Sequence, residues 1–137
     1  MITLAEYFAG RDKKYSNDLT KAIVSNANIT VYRANLILTE YYKANPTFSR
    51  TNKCNSGWRP PAVNAATQNS AKSSKHLTGS AIDISDDGRF SKWLMSSDGL
   101  QHMKEIGLWM EHPKDTPTWC HLQIVPPNSK LRIFNAR

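Results

Sequence analysis

The stretch Leu108-Trp109-Met110-Glu111-His112-Pro113-Lys114-Asp115-Thr116-Pro117-Thr118-Trp119-Cys120-His121-Leu122-Gln123-Ile124-Val125 decides the fold. Two runs rich in apolar and aromatic residues flank a connector punctuated by prolines. This predicts strands over Leu108 to Glu111 and Trp119 to Val125, paired as an antiparallel hairpin with a longer loop. Upstream, Ala81-Ile82-Asp83-Ile84 alternates as another short strand, turned by Asp86-Asp87-Gly88. Between these strands, Phe90 to Met95 and Leu100 to Ile106 read as short helical pieces on either side of Ser97-Asp98-Gly99. Helices lead and strands follow, with no regular alternation of strand and helix, so the class is α+β: N-terminal helices packed on a small antiparallel sheet.

The leading half carries helix signals. Thr3-Leu4-Ala5-Glu6 reads as a capping box that starts a short helix running to about Phe8 and stopping at Gly10. Ala27, Val31, Ala34, Leu38 and Tyr41 recur at steps of four and three, the stripe of an amphipathic helix facing a core. That helix must end before Asn45-Pro46, because proline disfavours helical geometry in the residue ahead of it. Phe48 to Lys53 is polar and extended, and Ser56-Gly57-Trp58-Arg59-Pro60-Pro61 looks like a strand end closed by prolines. From Val63 to Lys75 a short helix and then an exposed loop are expected.

With 137 residues, 39% of them hydrophobic, and a mean hydropathy of -0.55, the chain suits one compact domain, 1–137, with water as its solvent. Runs such as Ala34 to Leu38 fall far short of the ~20 apolar residues that span a membrane. Arg11, Lys13 and Lys14 are followed by no apolar segment with a small-residue cleavage site, so a secretory signal is not expected. The net charge of +7 favours polyanionic surroundings: nucleic acid, anionic lipid or an acidic cell wall. Its basic clusters, Arg11 to Lys14 and Lys130 to Arg137, have no interleaved stacking aromatics, which argues against specific nucleic-acid binding. Two cysteines, Cys54 and Cys120, are too few for a disulfide framework and are read as buried or half-buried thiols.

Two of the four histidines lie where the chemistry concentrates: His76, in Ser74-Lys75-His76-Leu77-Thr78-Gly79-Ser80-Ala81-Ile82-Asp83, and His121, in Trp119-Cys120-His121-Leu122-Gln123. Imidazole and carboxylate suit zinc, and a catalytic zinc site uses three protein ligands and an open position. His76, Asp83 and His121 would supply that set, with Gly79 letting the chain fold back between the first two. A solvated loop histidine and an aspartate acting as turn former are the plainer reading of the same spacing. Strand alternation places Trp119 and Gln123 on the face of His121 and Cys120 on the other, in the core. His102, in a helical context, is expected at the surface.

At these residues the chain resembles the zinc D-Ala-D-Ala carboxypeptidase and L-Ala-D-Glu endolysin family, whose fold is shared with lysostaphin-type enzymes and the hedgehog signalling domain. The pattern SxHxxGxAxD is met at Ser74, His76, Gly79, Ala81 and Asp83. An upstream SG-aromatic-R is met by Ser56-Gly57-Trp58-Arg59, and a late-strand histidine by His121. The resemblance covers roughly residues 54 to 125. It implies zinc (Zn2+) held by His76, Asp83 and His121. Arg59 would orient a substrate carboxylate or steady a developing oxyanion. Ser74 would hydrogen-bond within its loop and position His76, and Trp119 would wall the site.

The chain departs from the family at the general base. An acidic residue, or in some branches a histidine, often precedes the last ligand by about three positions, where this chain has Thr118. Glu111 is the best replacement, because the hairpin brings the end of its strand beside the start of the next, and His112 and Asp115 are the alternatives. The implied activity is metal-assisted hydrolysis of peptidoglycan stem peptides by a phage endolysin. As a monomer, it would accumulate in the host cytoplasm and reach the periplasm through holin pores. A stem-peptide endopeptidase cutting L-Ala-D-Glu or a similar bond ranks first and a D-Ala-D-Ala carboxypeptidase second. A non-catalytic, zinc-stabilised wall-binding module and a basic nucleic-acid-binding protein are rivals from other classes.

Overall fold

A computed structural model describes residues 1–67 and 73–136. Among the described residues the chain is α+β, with six α-helices and a five-stranded sheet. The helices are α1 (Leu4–Phe8), α2 (Arg11–Lys14), α3 (Lys21–Ala44), α4 (Pro61–Ala66), α5 (Arg89–Leu94) and α6 (Ser97–Ile106). The strands are β1 (Cys54–Ser56), β2 (Ala81–Ser85), β3 (Trp109–Glu111), β4 (Trp119–Gln123) and β5 (Ile133–Phe134), in the order β1-β2-β4-β3-β5. No described helix is long and apolar enough to cross a membrane.

The capping box forms as expected. Thr3 Oγ1 accepts from the Glu6 amide at 3.1 Å, and Glu6 Oε1 accepts from the Thr3 amide at 2.8 Å. The chain leaves α1 through Ala9 in the left-handed region, one residue before Gly10. In α3, Ala27, Val31, Ala34, Leu38 and Tyr41 are all buried, and the helix ends at Ala44, ahead of Pro46. This stripe packs on one face of the sheet against Ile82, Ile84, Met110, Cys120 and Leu122. Burying a side chain of this size contributes roughly 1.5–3 kcal/mol, so this layer dominates the favourable terms.

Several expectations need correction. The sheet is mixed, because β5 joins β3 in parallel. The basic cluster expected at Lys130 to Arg137 contributes this strand. Ser97-Asp98-Gly99 does not separate two helical pieces. It forms the first turn of α6, whose N-cap Ser96 accepts from the Gly99 amide at 3.2 Å. Pro60 and Pro61 do not simply close a strand. β1 ends at Ser56 and the prolines open α4, where a first-turn proline gives up no helical hydrogen bond. His102 is half-buried rather than at the surface, stacked on Trp93 and 3.6 Å from both Glu40 and Asp98. The loop expected after α4 includes residues 68–72, which lie outside the described residues, as does Arg137.

Gly57 joins the core to the site. A Cβ there would lie 2.1 Å from the Tyr7 carbonyl oxygen and 2.6 Å from its ring, which is fully buried and cannot yield. Gly57→Ala is therefore expected to cost about 3 kcal/mol or more in urea unfolding. At Gly88, with φ of 102° and nothing within 4 Å of a new Cβ, alanine should cost about 1–2 kcal/mol. Equal costs at the two positions would refute the close approach.

Candidate metal centre

Register builds the site. Across the sheet, Ser56 pairs with Asp83, Asp83 with His121, and Glu111 with Phe134. Met110 pairs with Leu122, so one step along that antiparallel ladder sets Glu111 opposite His121. Directly paired residues share a face. A single row across all five strands thus presents a hydroxyl, a carboxylate, an imidazole, a second carboxylate and an aromatic ring. The opposite face is the apolar core, and Cys120 lies there, 1% exposed, as alternation predicted. Cys54 is half-buried, and burial pushes its thiol up to about 12.

His76 reaches this row from outside the sheet. It sits in a 3-10 turn, Lys75–Thr78, whose N-cap Ser74 accepts from the His76 amide at 3.2 Å, a hydrogen bond within the loop. Gly79 ends the turn with φ of 74°, and its carbonyl accepts from Thr30 of α3 at 2.8 Å. On the other side the turn is tied to the Ser56 to Arg59 segment. The Arg59 amide donates to the His76 carbonyl at 3.1 Å, and Trp58 Nε1 to the Leu77 carbonyl at 3.1 Å.

Asp83 Oδ1 lies 3.2 Å from His76 Nε2 and 3.0 Å from His121 Nδ1. One ligand atom from each of the three residues falls within 4.8 Å of the other two. The outer partners fix which ring nitrogens carry hydrogen. His76 Nδ1 is 2.8 Å from the Gly57 carbonyl, which only accepts, so Nδ1 donates. Gln123 Nε2 donates to the Val125 carbonyl at 2.9 Å, which turns Oε1 toward His121 Nε2 at 2.9 Å, so that nitrogen donates too. In the neutral rings His76 Nε2 and His121 Nδ1 are then bare lone pairs aimed at a carboxylate oxygen. Such a cluster repels itself unless positive charge sits at its centre, supplied by extra protons or by a metal ion.

The surrounding groups respond accordingly. Burial acts to raise the Asp83 carboxyl, but the charge of His76 and the hydrogen bonds of both histidines hold it well below the usual carboxylate range. Burial lowers His76. For His121 burial acts in the same direction but is outweighed by Asp83, so that ring is raised. Arg59 Nη2 donates to Asp83 Oδ2 at 3.1 Å and its Nε to Ser56 Oγ at 3.1 Å, which leaves further guanidinium hydrogens for a ligand.

No family model, curated protein or solved structure matches this chain. The chemistry of the site rests on its own atoms. Two imidazole nitrogens and one carboxylate oxygen are a donor set for a divalent transition metal. With metal–ligand distances of about 2.0–2.1 Å, tetrahedral ligand atoms lie about 3.3 Å apart, close to the two short separations found. The buried cluster of His76, Asp83 and His121 could hold a metal ion.

Among the base candidates, burial raises the carboxyl of half-buried Glu111, which makes no hydrogen bond among the described residues. The other two are engaged elsewhere. His112 Nδ1 accepts from the Lys114 amide at 3.1 Å, and Asp115 Oδ2 from the Ala136 amide at 3.1 Å. Trp119 is half-buried, two residues from His121 on the same face and paired with Ser85. Thr118 is exposed, and its carbonyl accepts from the Asp86 amide. Sequence reasoning missed Gln123 as the partner of His121, the Gly57 carbonyl as the partner of His76, and Phe134. Gln123 could have been found from its i+2 spacing to His121. A backbone carbonyl leaves no side-chain signal.

Proposed function

We propose that this protein is a zinc-dependent hydrolase of peptidoglycan stem peptides, an endopeptidase of the endolysin type with the hedgehog/D,D-peptidase fold. The observation that carries the proposal is the convergence of the His76, Asp83 and His121 lone pairs beside an unpaired, half-buried Glu111. The SxHxxGxAxD pattern and the Ser56-Gly57-Trp58-Arg59 segment add support through their resemblance to the zinc carboxypeptidase and endolysin family.

His76, Asp83 and His121 would hold the zinc, which when bound supplies Lewis acidity that polarises a carbonyl and acidifies water. Glu111 accepts a proton from the attacking water and returns it to the leaving amine. Its register opposite His121 supports this role. Arg59 keeps Asp83 oriented through Oδ2 and offers its remaining N–H groups to a substrate carboxylate or to the oxyanion as it develops. The net charge of +7 draws the protein to the anionic wall.

The test is digestion of purified Gram-negative peptidoglycan by the zinc-loaded protein, with released ends identified by mass spectrometry. New L-Ala or D-Glu termini are expected, lost on chelation and restored by zinc. Free D-Ala alone would make the protein a carboxypeptidase. Zinc binding without cleavage would overturn the hydrolase and leave a wall-binding module.

A further inference from the structure

We infer that Phe134 recognises the alanine side chain next to the scissile bond, an inference that rests on the hydrolase proposed above. Phe134 ends the row of site residues: it pairs with Glu111, and its ring meets the His121 ring edge-on, with centroids 6.2 Å apart at 89°. The strand that carries it lies at the sheet edge, held to the β3 segment by two hydrogen bonds that bracket Glu111. The Met110 amide donates to the Arg132 carbonyl at 2.9 Å and the His112 amide to the Phe134 carbonyl at 2.7 Å. Just beyond, the Ala136 amide donates to Asp115. Phe134 is half-buried, on the same face as its pairing partner Glu111.

The rest of the row, Ser56, Asp83, His121 and Glu111, is polar. A peptide lying over Glu111 finds polar partners for its backbone on one side and the Phe134 ring on the other. Its side chain there must be one that gains from contact with carbon and needs no hydrogen bond. L-Ala-D-Glu and D-Ala-D-Ala bonds both place an alanine methyl at the scissile bond. Phe134 thus acts on substrate choice, while the metal ligands and Glu111 act on the reaction itself.

The experiment compares kcat/KM for two synthetic stem peptides that differ only in alanine or glycine at that position, with zinc content measured in parallel. The wild-type protein is expected to prefer alanine by roughly tenfold, as one methyl in an apolar contact allows. In Phe134→Ala the preference should fall to about twofold or less with zinc content unchanged. Phe134→Leu, which keeps apolar bulk, should lie between and decides the matter if the alanine variant loses β5. A wild-type preference retained in the folded variants overturns this role for Phe134 and leaves the hydrolase standing. A zinc-loaded wild-type protein that cleaves neither peptide nor peptidoglycan overturns both.

Discussion

Replacing His76 with alanine is expected to remove metal binding and hydrolysis together. Structural zinc sites with four ligands bind with about 10–16 kcal/mol, so one ligand of such a set is worth roughly 3–4 kcal/mol, or about 10²–10³ in affinity. Here the loss is compounded, because His76 is 2% exposed and, among the described residues, no other His, Cys, Asp or Glu joins the cluster to replace its Nε2. The variant also strands the Gly57 carbonyl, which now accepts from Nδ1 at 2.8 Å, so a modest fall in stability should accompany the loss of metal. Elemental analysis of the purified variant and digestion of peptidoglycan read the two effects separately. One zinc per chain with undiminished cleavage would refute the metal centre.

The second large effect is expected at Glu111. Glutamine has nearly the same shape but cannot take a proton, so Glu111→Gln should bind zinc as the wild-type protein does and lose about 10²–10⁴ in kcat. Asp115→Asn and His112→Gln should change kcat only a few-fold, because His112 Nδ1 already accepts from the Lys114 amide and Asp115 Oδ2 from the Ala136 amide beyond β5. The sign of the pH effect follows from burial, which raises the Glu111 carboxyl. A base works only when deprotonated, so the rate should fall as pH drops through that raised value, and Glu111→Gln should lack this limb. Full activity in Glu111→Gln, or loss of activity in Asp115→Asn, would move the base elsewhere.

The extent to which the fold was legible followed the length of each repeating signal. The α3 stripe extends over four turns, from Ala27 to Tyr41, and its burial matches its spacing residue by residue. The β3–β4 hairpin was readable because proline and apolar runs punctuate it. β5 was not: two residues cannot display alternation, and its place beside β3 is set by tertiary packing. Gly99 misled for a physical reason. It sits inside α6 because a Cβ there would lie 2.2 Å from the Trp93 carbonyl oxygen, so it marks a close approach of α5 and α6 rather than a break.

The site divides in the same way. His76, Asp83 and His121 were visible as residue types suited to a metal, and Cys120 was excluded by alternation alone. The partners that fix their hydrogen positions were less visible: alternation put Gln123 on the site face without pairing it with His121, and Gly57 acts through its backbone. Phe134 was hidden with its strand.

The row across the sheet also bears on when the protein becomes competent. Its members come from five separated segments, and the contact between Asp83 and His121 closes a loop of 38 residues. A growing chain holds His76 and Asp83, seven residues apart, well before His121 is added, 38 residues after Asp83. Closing long loops is slow and cooperative. A chain that stops short of His121 lacks one of the three groups that could hold a metal ion, so the cluster forms only once β2 and β4 have paired.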